Sequence, residues 1–320
     1  MQYRRLGRTG MKFSTVSLGS WLTFGNSVEQ DITTASVKTA FSLGINVVDT
    51  ADAYAKGASE VLLGKALEPY RRKDYVLASK AFWPMSDGIN DRGLSRKHLF
   101  ESVNESLERL KTSYLDLYQC HRFDPDCDLE ETVRIMEDLV RMGKILYWGV
   151  SVWTGQQIRD AMRIAKSIGG YGPASNQPQY SMLVRDIELD PLPVTRELGM
   201  GTIVWSPMAQ GMLTGKYKKD QPPPKDSRAA DPRANQFLTK FFTPENYAIV
   251  DKLKVIAQEA GCTLSQLALA WCLKHEGITS VIVGCTKPEQ LVENAKAADI
   301  TLDERTMAAI AKVLPAPKAG

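Results

Sequence analysis

The 320-residue chain has little that marks a secreted, metal-binding or membrane-spanning protein. Its five cysteines form no Cys-x-x-Cys pair, which favours buried, reduced thiols over a disulfide framework or a redox motif. The three histidines, His98, His121 and His275, are not at metal-ligand spacing, so no metal site is predicted. No apolar stretch approaches the roughly 20 residues that cross a bilayer, and the start lacks the apolar core of a signal peptide. We therefore expect a cytoplasmic protein without membrane insertion.

Two further absences narrow the classes of partner. The formal net charge is only +3, with basic and acidic residues interleaved, so we expect no binding of nucleic acid. No Gly-x-Gly-x-x-Gly motif follows an apolar run, so a doubly wound dinucleotide-binding domain has no support. A dinucleotide would have to bind in another way.

Short apolar runs alternate with helical patterns along the chain, which predicts a parallel sheet. The length alone allows two domains or one large barrel, but eight candidate strands fit a closed barrel. We predict an α/β fold, a (β/α)8 TIM barrel forming a single domain over residues 1–320, with an N-terminal β-hairpin and extra C-terminal helices. The candidate strands are residues 15–18, 46–49, 75–79, 115–121, 146–150, 174–177, 202–205 and 281–283. The candidate helices are residues 31–43, 59–67, 95–110, 129–142, 154–168, 191–198, a pair within 244–275, 288–298 and 303–313.

One segment, from Lys216 to Arg233, departs from this alternation. It contains the triplet Pro222-Pro223-Pro224 and several charged residues. A long Pro-rich loop in a compact domain is usually a lid or a mobile surface segment. Because Lys216 and Arg228 bracket it, we favour the lid.

Four polar residues lie at or just beyond the ends of candidate strands: Asp49, Tyr54, Lys80 and His121. Parallel strands bring their C-terminal ends to one rim, where barrels carry their chemistry. Each residue singly is more often a packing or capping residue. Together, a carboxylate, a phenol, an ammonium and an imidazole suit reduction of a carbonyl group, in which a phenol supplies a proton.

The four side chains predict a division of roles. Tyr54 has an ordinary pKa near 10, too high for easy proton delivery unless its phenolate is stabilised. A nearby Lys80 would favour the charged form, and Asp49 would orient Lys80. His121 would donate a hydrogen bond to the substrate carbonyl oxygen.

The last strand-helix turn, Gly284 to Gln290, offers free N–H groups at a helix start, a favourable seat for phosphate. An ordinary helix-capping loop is about equally consistent with the pattern. Trp205 could stack on a nicotinamide ring, although a buried Trp is more often core. Aromatic residues after the early strands could wall a pocket or pack at the rim; they are Trp21, Phe24, Trp83 and Phe123.

These residues lie in segments that resemble the aldo-keto reductases over nearly the full chain. The matching segments are Asn46 to Tyr54, Ser79-Lys80, Gly143 to Ser151, Ser175 to Gln177 and Trp205 to Ala209. Within that family the chain is most similar to the branch of voltage-gated potassium channel β subunits and their bacterial relatives. That similarity lies in Gly93 to His98, Leu213 to Tyr217 and Ser227 to Ala229.

The resemblance implies NADPH-dependent reduction of aldehydes or ketones by a catalytic tetrad of Asp49, Tyr54, Lys80 and His121. It also implies a set of cofactor-binding positions. Around the nicotinamide these are Ser20, Trp21, Asp49, Ser151, Asn176, Gln177 and Trp205. Along the pyrophosphate and around the adenosine and its 2'-phosphate they are Ser206, Met208, Leu213, Lys216, Arg228, Gly284, Thr286, Gln290, Glu293 and Asn294.

Two departures from the family pattern bear on function. The channel β subunits have Asn where this chain has His121, so this chain carries the full tetrad and should turn over faster. Many family members hold the 2'-phosphate with a Lys-Ser pair and an Arg, but the aligned residues here are Gly284, Cys285 and Gln290. Preference for NADP(H) therefore rests on Lys216 and Arg228, and use of NAD(H) stays open.

Two rival interpretations stay open. One is a nucleotide-sensing regulatory subunit with slow turnover, which the channel-like resemblance favours and His121 opposes. The other is a barrel isomerase with Lys80 as a Schiff base. Relatives on this branch often assemble as tetramers or larger rings, so a homo-oligomer is a further expectation.

Overall fold

The structure is a computed structural model that describes residues 1–225, 227–232 and 234–318. In this part of the chain, strands and helices alternate as the sequence predicts. The strands are β1 (Tyr3–Arg5), β2 (Lys12–Ser14), β3 (Val16–Gly19), β4 (Val47–Asp49), β5 (Val76–Ala81), β6 (Leu115–Cys120), β7 (Ile145–Val150), β8 (Ser175–Asn176), β9 (Gly201–Val204) and β10 (Ile278–Val283). The helices are α1 (Gln30–Ser42), α2 (Ala58–Leu67), α3 (Arg96–Arg109), α4 (Leu129–Arg141), α5 (Gly155–Ser167), α6 (Leu192–Glu197), α7 (Gln236–Thr239), α8 (Pro244–Glu259), α9 (Leu264–Lys274), α10 (Pro288–Ala295) and α11 (Glu304–Val313).

Strands β3 to β10 form a closed barrel of parallel strands in chain order, with β10 pairing back onto β3. Every residue of β5, β6 and β10 is buried, as expected for parallel strands covered on both faces. The predicted (β/α)8 barrel, its hairpin and its C-terminal helices are confirmed.

The N-terminal hairpin closes one end of the barrel. Strands β1 and β2 pair antiparallel, and the fully buried Leu6 and Phe13 pack with inward-facing residues of the barrel strands, including Val47 and Leu117. Gly7 follows with a left-handed φ of +55°, and a Cβ there would lie 2.2 Å from the carbonyl oxygen of Gly199. The hairpin thus covers the end of the barrel where the strands begin. The loops that follow the strands lie at the opposite end.

Polar caps start several of the predicted helices. Thr154 accepts from the backbone of Gln157 in a capping box before α5, and Thr263 does the same with Gln266 before α9. Asp128 caps α4 by accepting from the N–H of Glu130. These caps explain why the pattern-based helix starts lie close to the observed ones.

The clearest differences from the prediction concern three elements. Strand β10 begins at Ile278, earlier than the predicted residue 281. The predicted helix 288–298 ends at Ala295 and continues as a short 3-10 turn, Lys296–Asp299. Helix α7 was not predicted, since its four residues are too short to show periodicity. No helix within the described ranges is long and apolar enough to cross a membrane.

Candidate active site

The four polar side chains predicted to form a site meet at the C-terminal end of the barrel. Asp49 ends β4, Lys80 is the penultimate residue of β5, and β4 and β5 are hydrogen-bonded neighbours. His121 directly follows β6, and Tyr54 opens a short 3-10 turn after β4. Because the three strands are adjacent and parallel, residues distant in sequence become neighbours.

Lys80 is fully enclosed, and its ammonium group has three acceptors. Its Nζ donates to Asp49 Oδ1 at 2.6 Å, to the carbonyl oxygen of Thr50 at 2.7 Å and to Tyr54 Oη at 3.4 Å. Burial acts to lower the pKa of Lys80, but the Asp49 carboxylate and Tyr54 outweigh it and raise that pKa above its ordinary value. A protonated amine has no lone pair for attack on a carbonyl, which counts against the Schiff-base interpretation.

The phenol of Tyr54 keeps its proton at neutral pH. Burial raises the pKa of Tyr54, and the Lys80 ammonium offsets part of this effect without reversing it. We expected Lys80 to bring the pKa down; its effect has the expected sign, but desolvation is larger. Tyr54 is therefore a neutral acid that releases its proton only to a strongly basic oxygen.

His121 is neutral at physiological pH. Burial, followed by the charges of Lys80 and Arg122, lowers the pKa of His121 well below its ordinary value. Its ring lies 5.7 Å from the Tyr54 ring, centroid to centroid, in an edge-to-face arrangement. Its Nδ1 is buried and has no hydrogen-bond partner among the described residues. A neutral imidazole beside a phenol can orient a carbonyl oxygen without adding charge.

Asp49 is held from both sides of the barrel. Its Oδ1 accepts from Lys80, and its Oδ2 accepts from Gln177 Nε2 at 2.8 Å. Gln177 follows β8, and its carbonyl oxygen in turn accepts from Ser151 Oγ at 2.7 Å. Each oxygen of the carboxylate thus has its own donor, which fixes the orientation of Asp49.

A cavity of about 1370 Å³ starts at this cluster and extends along the barrel rim. Typical small-molecule pockets occupy about 300–1,000 Å³, so this one has room for a dinucleotide and a second ligand. Tyr54 and His121 line it, as do most of the predicted cofactor positions. Those positions are Trp21, Asp49, Ser151, Gln177, Trp205, Ser206, Met208, Lys216, Arg228, Gly284, Thr286, Gln290, Glu293 and Asn294.

Three predicted cofactor residues lie behind the cavity wall. Ser20 is buried and donates to Thr50 Oγ1 at 2.9 Å, while Leu213 is fully buried in the core. Asn176 is fully buried in β8, and both polar atoms of its amide have no partner in the described part of the chain. The first two support the wall, whereas Asn176 carries unused hydrogen-bonding capacity next to Gln177.

The far end of the cavity is basic and polar. Arg228 Nη1 donates to Gln210 Oε1, and Gln210 Nε2 donates to Ser206 Oγ. Burial lowers the pKa of Arg228. The Nζ of Lys216 lies 5.3 Å from the centre of the Tyr217 ring.

The turn before α10, where the sequence predicts a seat for phosphate, borders the cavity, and its role in binding phosphate stays a prediction. Thr286 and Lys287 line the cavity there, but the Thr286 N–H already donates to Gln290 Oε1 at 2.9 Å. The Pro-rich loop from Lys216 to Arg233 borders this end through Lys216, Lys225 and Arg228. Asp226 and Arg233 lie outside the described residues, and the lid interpretation stays a prediction.

The sequence analysis missed two residues at the end of the cavity that holds Tyr54 and His121. Arg122 lines the cavity directly after His121, and its position was the only available signal. Phe237 on α7 packs against Trp21 with ring centroids 5.0 Å apart. Of the four expected aromatic residues, Trp21 and Trp83 line the cavity. Phe24 is fully buried in the core, and Phe123 packs on Trp153 with centroids 5.0 Å apart.

Strained backbone is concentrated in the loops around the cavity. Several non-glycine residues there have left-handed φ angles, a conformation that costs about 1–3 kcal/mol and clusters at functional sites. They are Leu22, Ala55, Lys56, Val152, Ser206, Ala209 and Gln210. Tyr54 is thus presented by a turn whose next two residues are both strained.

Comparison with known proteins agrees with this architecture. The family model described as Aldo/keto reductase family matches residues 15–315, and the chain belongs to this family. A probable voltage-gated potassium channel subunit beta of Oryza sativa subsp. japonica is 41% identical over 303 residues, covering 94% of this chain and 92% of that protein. A protein of Arabidopsis thaliana with the same description gives the same values. A putative voltage-gated potassium channel subunit beta of Schizosaccharomyces pombe is 41% identical over 319 residues, covering 97% of this chain and 92% of that protein.

Family membership defines the class of activity. Aldo-keto reductases are oxidoreductases that use nicotinamide cofactors on small carbonyl compounds, so an oxidoreductase function is supported here. The described residues include no group of three or more His, Cys, Asp or Glu side chains positioned to hold a metal ion.

Proposed function

We propose that the protein reduces aldehydes or ketones to alcohols with NADPH, with Tyr54 as the proton donor. The observation that carries this proposal is the chain of contacts from Asp49 through Lys80 to Tyr54, with Tyr54 and His121 at the wall of one long cavity. Such a juxtaposition supports a reaction in which proton transfer and hydride transfer occur at one carbonyl group.

The residues fit a nicotinamide dinucleotide. The buried Asn176 amide has a donor and an acceptor without partners, which is the complement of a carboxamide. Ser151 and Gln177 lie beside it, and Trp205 offers a ring face. At the far end Lys216 and Arg228 supply positive charge for a 2'-phosphate, and Gly284, Thr286 and Gln290 supply a polar wall.

In the proposed mechanism the protein positions the substrate and protonates its carbonyl oxygen. The cofactor, when bound, supplies the hydride. His121, neutral and beside the phenol, donates a hydrogen bond that holds the carbonyl oxygen near Tyr54 Oη. Tyr54 gives its proton to that oxygen as negative charge develops. The Lys80 ammonium, fixed by Asp49, then stabilises the phenolate that remains.

Replacing Tyr54 by Phe tests the proton-transfer role. We expect kcat to fall by about 10²–10⁴-fold, the usual contribution of a positioned acid, while the Kd for NADPH is unchanged. Tyr171→Phe is the matched control, because that side chain is 80% exposed and outside the cavity. Near-normal reduction by Tyr54→Phe would refute the assignment.

Cofactor preference is tested by quenching of Trp fluorescence on titration with NADPH and NADH at fixed ionic strength. We expect tighter binding of NADPH, and loss of that preference in Lys216→Ala or Arg228→Ala. Lys252→Ala, an exposed cation on α8, is the control. If NADH binds as tightly as NADPH, the two cations have no role in a 2'-phosphate site.

The names of the relatives motivate a second candidate, a nucleotide-sensing regulatory subunit with slow turnover. In that case NADPH would bind tightly, many carbonyl compounds would give negligible turnover, and the protein would co-purify with a membrane complex. Measurable turnover without such a complex would exclude it. We also propose that residues 1–320 form one domain and that the protein is cytoplasmic. We propose further that it assembles as a homo-tetramer or larger ring, and light scattering tests this assembly.

A further inference from the structure

The substrate end of the cavity, meaning the part beside Tyr54 and His121 where the proposed substrate would lie, contains a cation that the proposed mechanism does not use. Arg122 is partly buried, lines the cavity and lies close enough for its charge to act on the pKa of both Tyr54 and His121. Its guanidinium carbon lies 5.5 Å from the centre of the Trp83 ring, and Trp83 lies 6.2 Å from His121 between ring centroids. The guanidinium therefore belongs to the same wall as the reacting groups.

Within the described residues, Arg122 has no carboxylate partner. The structure gives its guanidinium one hydrogen bond, from Nη1 to the carbonyl oxygen of His121 at 2.5 Å, although the group carries five N–H donors. Most other partly buried arginines in the described part of the chain have a carboxylate within reach. Arg72 pairs with Asp116, Arg109 with Glu60, and Arg185 with Glu188.

The carboxylate of the tetrad forms no ion pair with Arg122 in the structure. Asp49 is the carboxylate that the cavity exposes beside Tyr54 and His121, and its two oxygens accept from Lys80 and Gln177. Lys56, on the strained turn after Tyr54, is a further cation that lines the cavity. The substrate end is thus positive where an incoming carbonyl compound would lie.

We propose that the natural substrates are carbonyl compounds that carry a carboxylate, and that Arg122 binds this carboxylate. This inference rests on the proposed reductase function. A guanidinium presents a planar fork that matches a carboxylate with two parallel hydrogen bonds. Trp21, Trp83 and Phe237 surround the position with apolar surface, so the remainder of the substrate would be an aliphatic or aromatic body.

A pair of aldehydes, one with a carboxylate and one with its neutral methyl ester, tests the inference. The wild-type protein and Arg122→Gln are assayed with 4-carboxybenzaldehyde and with its neutral methyl ester, and the ratio of the two kcat/KM values is compared between proteins. Because both proteins are assayed with both compounds, the different intrinsic reactivities of the two aldehydes cancel when the ratios are compared. We expect the ratio to fall about ten- to a hundredfold in Arg122→Gln, as for loss of a hydrogen bond between charged groups.

Two further variants separate charge recognition from a structural role. Arg122→Lys keeps the charge without the fork and should recover part of the preference for the carboxylate. Arg134→Gln removes an exposed cation on α4, outside the cavity, and should leave the ratio unchanged. If Arg122 only holds the backbone of His121, Arg122→Gln will slow both aldehydes equally, and the inference is overturned.

Binding measurements keep the inference testable if no carbonyl compound is reduced. Isothermal titration calorimetry of the full-length protein with benzoate and with neutral benzamide needs no turnover. Benzoate binding that is lost in Arg122→Gln and retained in Arg134→Gln would support the carboxylate site even if the reductase proposal failed. Conversely, reduction of both aldehydes with an unchanged ratio would refute the carboxylate site and leave the reductase proposal intact.

Discussion

Replacing Asp52 by Asn should stabilise the protein at alkaline pH and have a smaller effect in acid. Asp52 is fully buried two residues before Tyr54, and its carboxylate accepts from the Ala53 N–H at 2.5 Å and from Ser102 Oγ at 2.8 Å. Burial and the neighbouring Glu60 carboxylate raise the pKa of Asp52 from 3.8 to about 7, against the smaller opposing effects of Ser102, Ala53 and Arg109.

The sign follows from proton uptake. Between pH 4 and pH 7 the folded protein keeps a proton on Asp52 that the unfolded chain has released, so stability falls as the pH rises through this range. Above pH 7 the full loss of stability is reached. The interval between 3.8 and about 7 corresponds to about 4 kcal/mol, and less than half of this is present at pH 5.

An asparagine removes this penalty while keeping the shape. Its amide oxygen can accept from Ala53, and its NH2 can donate to Ser102 Oγ. Glu60 still receives Arg109 Nε at 2.8 Å and Ser79 Oγ at 2.5 Å. We therefore expect Asp52→Asn to unfold at a higher temperature than the wild-type protein at pH 8, by roughly 6 °C for an unfolding entropy of about 2.1 cal/mol/K per residue.

Differential scanning calorimetry at pH 5 and pH 8 measures the effect. Asp87→Asn, an exposed carboxylate outside this cluster, is the matched control and should show no such pH dependence. If Asp52→Asn is equally or less stable at pH 8, or if its advantage does not shrink at pH 5, then the pKa of Asp52 is not raised by burial and the reasoning fails.

Two other substitutions have definite expected outcomes. Gly149→Ala should lower the free energy of unfolding by about 1–3 kcal/mol, because its Cβ would lie 2.2 Å from Ser175 Oγ on the neighbouring strand. Gly10→Ala, where a Cβ meets nothing within 4 Å, is the control in urea denaturation, and equal stabilities would contradict the packing argument. His121→Asn should lower kcat by about 100-fold with unchanged NADPH affinity, since it removes the proposed donor to the carbonyl oxygen; steady-state kinetics that match the wild type would remove His121 from the mechanism.

The barrel was predictable because hydrophobic patterning reflects burial, and burial determines these strands. All six residues of β6 are buried, and the pattern identified that strand to within one residue. Strand β10 was predicted too short because Ile278 to Ser280 mix apolar and hydroxyl residues, although the structure buries all of them. Periodicity cannot show that Ser280 is satisfied by Ser17, 263 positions away.

The tetrad could be proposed from sequence because its members lie at or just after the ends of β4, β5 and β6, and parallel strands end at one rim. The direction of the shift in the Tyr54 pKa could not be predicted from sequence, because it depends on how far desolvation exceeds the effect of Lys80. The cluster of the buried Asp52 and Glu60 with the partly buried Arg109 also escaped detection. Its members come from three separate parts of the chain, and nothing in the local sequence of the two acids marks them as buried.

The hydrogen bond between Gln177 and Asp49 links the first half of the barrel to the second. Asp49 ends the second barrel strand. Its carboxylate receives one donor from Lys80 on the third strand and the other from Gln177 after the sixth, so the two donors come from opposite halves of the protein. A fragment that ended after β6 would contain all four tetrad residues, yet Asp49 would lack one donor. Fragments split at this point would therefore regain an ordered site only by reassociating, which makes the intact site a reporter of barrel closure.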